Sequence, residues 1–218
     1  MALSHGGFRL ITDTDSNHLF QGNSTMDLAK LIERAKGICL SPKAEWPKIA
    51  AETADVKSLY VGYAMILAAI PALAKLLSTA RFSLVMAIGI AALSYLLGLV
   101  AIFVVGLIIN AFAPTFDATP EPTQSLKIAV YSATPGWIAG IFNVIPWVGW
   151  MLSVAGSLYG AYLLFEGLSP LMKSPPDKSL GYAVLVVVCS AVLLFIVSAV
   201  PGMLFLGGLA MAGAGLMR

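Results

Sequence analysis

The chain has 218 residues, 59% of them hydrophobic and 11% charged, with a mean hydropathy of +0.88. Soluble domains are nearer half apolar and a quarter charged, and a chain this short cannot hide such an excess in one water-surrounded core. A net charge of +2 is too small to attract a polyanion, so a nucleic-acid partner is excluded with the soluble and disordered classes. The solvent left is lipid.

Residues 1–25 are polar and lack the apolar run of a secretory signal. Asp13, Asp15 and Asn17 resemble the start of a calcium loop, but His18 replaces the turn glycine and Ser24 the twelfth-position acid. This segment reads as a disordered leader or tag. Residues 26–57 form a cytoplasmic segment of two amphipathic helices. Leu28, Leu31, Ile32, Ala35 and Cys39 share one face of the first, opposite Lys30, Glu33, Arg34 and Lys36. Ser41 and Pro42 open the second, whose apolar face is Trp46, Ile49 and Ala50. Both are too polar to span. They lie either in the headgroup boundary, with Trp46 as anchor, or against the protein's own bundle.

Residues 58–218 hold five apolar stretches and a glycine-rich tail after Pro201. The first, 59–77, contains Pro71 and ends near Lys75. The second, 82–112, is about 46 Å long at ~1.5 Å per residue and must tilt or protrude. The third, 128–147, contains Pro135 and Pro146. The fourth, 150–171, follows across a turn at 146–150 whose Trp147 and Trp150 mark a membrane–water boundary. The fifth starts near Leu180. The expected fold is therefore all-α, a polytopic bundle of five transmembrane helices preceded by amphipathic interfacial helices. Ten basic residues fall on the N-terminal side and three (Lys75, Arg81, Arg218) on the other. The positive-inside rule puts the N-terminus in the cytoplasm and, with five crossings, the C-terminus outside. Cys39 and Cys189 then sit at different levels, too far apart for a disulfide.

Few polar groups interrupt the stretches. Glu166 reads as a headgroup-level carboxylate near Lys173, or as a cation site. Lys75 can snorkel outward on its methylenes, and Asn110 and Asn143 suit interhelical hydrogen bonds. Gly136 and Gly140, like Gly156 and Gly160, place small residues on one helix face, for close approach of the third and fourth spans or equally for dimerisation. No histidine lies beyond residue 18, no zinc motif or phosphate loop occurs, and no carboxylate pair lies in the apolar stretches. The expectation is a protein with no enzymatic activity, cofactor or metal.

Tyr131, Pro135, Trp137 and Gly140, then Pro146 and Gly149, then Gly156, Tyr159, Gly160 and Tyr162, then Pro170, Met172, Pro176, Asp177, Lys178 and Tyr182 together resemble the Yip domain family (Ypt/Rab-interacting membrane proteins) in its bacterial branch. The segment from Leu40 to Trp46 resembles that branch's cytoplasmic start. The likeness covers about residues 26–200 and departs at Phe165 and Glu166. It implies five spans, an inner-membrane location with the N-terminus cytoplasmic, and a scaffold that binds lipids, membrane proteins or a second copy. Eukaryotic relatives are linked to prenylated small GTPases, a role that does not carry over to a bacterial cell. The alternative is a small-solute or ion transporter whose proline-broken helices expose backbone to a cavity lined by Glu166, Asn110 and Asn143.

Overall fold

A computed structural model describes residues 28–53 and 55–216; the leader and its incomplete calcium-like triad lie outside them. Every regular element among the described residues is helical. Helix α1 spans Leu28–Leu40 and α2 spans Pro42–Ala51. Helix α3 runs Val56–Ala80, with a π-helical turn at Tyr60–Ala64, and α4 runs Leu84–Phe112. After a linker come α5 (Pro122–Ser132), α6 (Thr134–Ala139) and a 3-10 turn, Gly140–Val144. Helices α7 (Pro146–Met172) and α8 (Pro176–Leu216) complete the chain.

Among the described residues four helices are long and apolar enough to cross a bilayer: Val56–Ala80, Leu84–Phe116, Trp147–Met172 and Pro176–Gly208. They match the first, second, fourth and fifth stretches of the sequence. The glycine-rich tail stays helical through Pro201 to Leu216.

The third stretch is not one helix. Its helical start lies at Pro122, before residue 128, and the chain breaks at Ala133, where Thr134 and Pro135 open α6. A proline has no N–H to donate and suits the first turn of a new helix better than the middle of an old one. Laid end to end, residues 122–144 reach roughly 37 Å at the rises of α and 3-10 helix, against a hydrocarbon thickness of ~30 Å. The turn into α7 also differs from expectation. Ile145 alone is extended, Pro146 already opens α7, and Gly149 lies within its first turn. Trp147 and Trp150 stay exposed, at 83% and 65%.

Contacts fix which ends share a face. The Tyr182 hydroxyl donates to the Ile109 carbonyl, and its ring stacks on Phe116 at 5.0 Å. The Thr119 amide donates to the Met172 carbonyl at 2.8 Å, and Lys178 pairs with Asp117. The linkers at 113–121 and 173–175 therefore lie side by side, on what we call the linker face. At the other end, the turn face, Phe82 meets Phe205 edge-on at 5.6 Å, so α8 runs antiparallel to α4. Lys173 ends α7 in a left-handed conformation at φ 53°.

Helices α1 and α2 pack onto this bundle. Leu31, Ile38, Trp46 and Ile49 join the same buried cluster as Tyr63, Tyr131 and Leu163. Trp46 is 1% exposed, its ring over Gly167, so it is a core residue and not a headgroup anchor. Leu28, Ile32 and Leu40 of α1 remain exposed. Cys39 and Cys189 are free thiols, as expected.

Candidate functional site

The linker face carries a cleft of about 540 Å³ between α1, the end of α2, the start of α3 and α5. Its floor is apolar and aromatic (Leu31, Leu59, Tyr63 and Tyr131), and its rim holds Lys30, Arg34, Glu52 and Ser58. Tyr131 is the hub. Its ring packs edge-on to Tyr63 at 4.8 Å and to Trp46 at 6.4 Å, and the Arg34 guanidinium lies 6.0 Å from its centroid. The π-helical turn of α3 carries Tyr63, whose hydroxyl is 2.9 Å from that of Thr134, one residue past the break between α5 and α6. Such turns widen a helix locally and cluster at functional sites.

Charge holds the cleft in shape. Arg34 bonds Glu45 at 2.6 Å and also pairs with Glu52, tying α1 to both ends of α2. Burial acts to lower its pKa, but the hydrogen bond and charge of Glu52, helped by Tyr131 and Glu45, raise it overall. Lys127 of α5 is 2% exposed and donates to the carbonyls of Ile49 (2.9 Å) and Glu52 (2.6 Å). Gln124 donates to Ala50 at 3.1 Å. The end of α2, where carbonyls lack helical partners, is thus capped by one turn of α5. Glu121 in turn caps α5, accepting from the amides of Thr123 and Gln124.

The family-like residues divide by what they hold. Gly160 and Gly156 bring α7 against the broken segment. A Cβ at Gly160 would lie 2.6 Å from the Ser132 carbonyl oxygen, and one at Gly156 would lie 2.9 Å from that of Pro135. Gly149 is as tight, 2.5 Å from Asn143 Cα and the Phe142 oxygen. Tyr159 donates to the Cys39 carbonyl at 2.7 Å, holding the end of α1. Tyr182, Met172, Asp177 and Lys178 belong to the linker face; Trp137 is buried, Pro170 is half-buried, and Tyr162, Pro176 and Asp177 are exposed. The first glycine pair does not act as one face. Gly140 meets Pro71 of α3, at 2.6 Å from its Cβ, whereas a Cβ on Gly136 would touch nothing within 4 Å.

The polar residues proposed as a transport lining are not brought together. Asn110 sits near the linker-face end of α4, Asn143 at the turn face, and Glu166 in the last two turns of α7. None lines either principal cavity. Asn143 accepts from Ser153 at 3.2 Å, which joins the 3-10 turn to α7 within the hairpin. Glu166 is half-buried and, among the described residues, makes no ion pair with Lys173. Glu166→Gln is accordingly expected to change unfolding in detergent by less than about 0.5 kcal/mol, read as an unchanged melting temperature. Lys75 does not snorkel: its Nζ bonds Ser94 Oγ at 3.2 Å between α3 and α4. Among the described residues no histidine, cysteine and carboxylate group gathers as a metal site. Sequence reasoning missed Arg34 and Lys127 as structural centres; their signal was only a lysine and an arginine on segments otherwise read as loop and helix surface.

Residues 36–200 match the Yip1 domain. Over 162 residues the chain is 23% identical to the inner membrane protein YohC of Escherichia coli K12, covering 67% of this chain and 83% of that protein, and equally to the YohC of strain O6:H1. No solved structure matches.

Proposed function

Because the chain belongs to the Yip1 domain family, we propose that it is a non-enzymatic scaffold of the inner membrane, with a protein partner seated in the linker-face cleft. In this reading the broken segment 122–144 is a fifth crossing. The linker face is cytoplasmic and the C-terminus lies outside, because the lysines and arginines of α1, α2 and α5 collect on one side with Lys173 and Lys178.

The observation that carries the reading is the cleft's construction. Two helices ahead of the first span are fastened to the bundle by Arg34, Lys127 and Trp46, yet they leave a concave, aromatic-floored surface with Lys30 beside the Arg34–Glu52 pair at its rim. Rigid concave sites with an apolar floor and a few placed polar groups are the usual shape of a binding site. A neighbour of acidic rim and apolar core complements it. The inner-membrane location rests on the YohC likeness.

Photocrosslinking in native membranes tests the reading. A crosslinking residue at Ser58, exposed on the rim, is expected to give a discrete protein adduct that weakens in Lys30→Glu. The same residue at Ser83 on the turn face should not. Equal adducts at both positions, or none at Ser58, would overturn it.

A further inference from the structure

A second cavity, of about 490 Å³, lies within the apolar part of the bundle, walled by α4, α5–α6, α7 and α8. Its walls are small: Gly98 and Gly136 border it, and a Cβ added to either would meet nothing within 4 Å. No charged side chain lines it, but four serines do, at 132, 153, 157 and 190. At ~1.5 Å per residue, Ser153 and Ser157 lie about 10 and 16 Å from the turn-face end of α7, and Ser132, opposite Gly160, about 21 Å. The hydroxyls step from the turn face to mid-depth. Ser153 and Ser157 already donate, to Asn143 Oδ1 and to the Ser153 carbonyl. Ser132 and Ser190 do not: their buried Oγ atoms have no partner among the described residues, and Ser132 is only 7% exposed.

A buried hydroxyl without a partner is costly, more so where no water can reach it. The cavity therefore asks for an occupant with apolar bulk and an oxygen at mid-depth. The cavity is a groove open along Ser157, Ala191 and Leu194, and a partner helix, 10–12 Å across with its side chains, would rest on that open edge and reach Ser132, 7% exposed, with a side chain at most. A phosphate headgroup would arrive with its charge unpaired, since nothing in the lining can balance it. We propose that the cavity binds an uncharged, hydroxyl-bearing glycerolipid of the diacylglycerol class, admitted from the turn-face leaflet, with its hydroxyl and ester oxygens bonded to Ser132 and Ser190 and one tail along Gly98 and Gly136. This site is separate from the cytoplasmic cleft, and either can fail without the other.

The test uses the full chain in nanodiscs with a diacylglycerol carrying a photoactivatable tail, beside a phosphatidylglycerol with the same tails. The diacylglycerol is expected to label peptides of α4 and α7. Gly98→Leu and Gly136→Leu, whose Cβ atoms enter open space, should abolish the label while leaving the melting temperature in place. Ser132→Ala with Ser190→Ala should weaken it about tenfold or more, the loss of two hydrogen bonds. Labelling that survives both leucines, or is equal for phosphatidylglycerol, overturns the proposal. So does a change of oligomeric mass in Gly136→Leu with the lipid label intact, which would make a second copy or a partner helix the occupant.

Discussion

Gly160→Leu is expected to destabilise the bundle by about 3 kcal/mol or more, beyond the usual range for overpacking. The added Cβ would lie 2.6 Å from the carbonyl oxygen of Ser132, a backbone atom that cannot rotate aside. The helices here associate through packing and not through burial from water, so separating α7 from α5 forfeits the contact the fold depends on. Gly149→Ala should be comparably severe, since its Cβ meets Asn143 Cα and the Phe142 oxygen at 2.5 Å. Gly136→Ala is the control: open space surrounds it, and replacing a helical glycine by alanine gains up to about 1 kcal/mol in propensity. Thermal unfolding in a single detergent separates the three. Equal melting temperatures for Gly160→Leu and Gly136→Ala would contradict the packing account.

Lys127→Met is expected to cost about 1–3 kcal/mol, because it strands the buried Ile49 carbonyl and uncovers the partly buried Glu52 carbonyl at the end of α2. The lost cation also removes a favourable partner for the negative end of that helix. The methionine keeps the length and apolar stem of the side chain, so the loss reports the hydrogen bonds to Ile49 and Glu52. Limited proteolysis should then cut between residues 52 and 57, as α2 loosens from α5. A variant that melts and resists protease like the wild type would show that Lys127 does not fasten the cleft.

Long spans were legible because an uninterrupted apolar run of bilayer length has few other readings. Val56–Ala80, Leu84–Phe116, Trp147–Met172 and Pro176–Gly208 follow from that alone. The third stretch was not, since hydropathy cannot register that Thr134 and Pro135 restart the helix. Gly156 and Gly160 were legible as a close-approach face, for the hairpin or for a second copy, but a repeat of small residues does not say which neighbour each one faces. Gly140 faces α3 and Gly136 faces a cavity. The cleft was least visible. Lys127 was counted with the loop charges because its two acceptors are more than seventy residues away in sequence. Trp46 looked equally suited to a headgroup or a core until its ring was found over Gly167.

The fifth crossing can be read directly from two cysteines in a chain whose Cys39 and Cys189 are replaced by serine. Thr119→Cys lies in the linker before α5, and Trp147→Cys lies at the start of α7; both positions are exposed. If residues 122–144 cross the membrane, an impermeant thiol reagent added outside intact cells labels position 147 and spares 119 until the membrane is opened. Labelling of both from one side would make the broken segment re-entrant and leave four crossings, contradicting the topology on which the cytoplasmic cleft and the outward C-terminus rest.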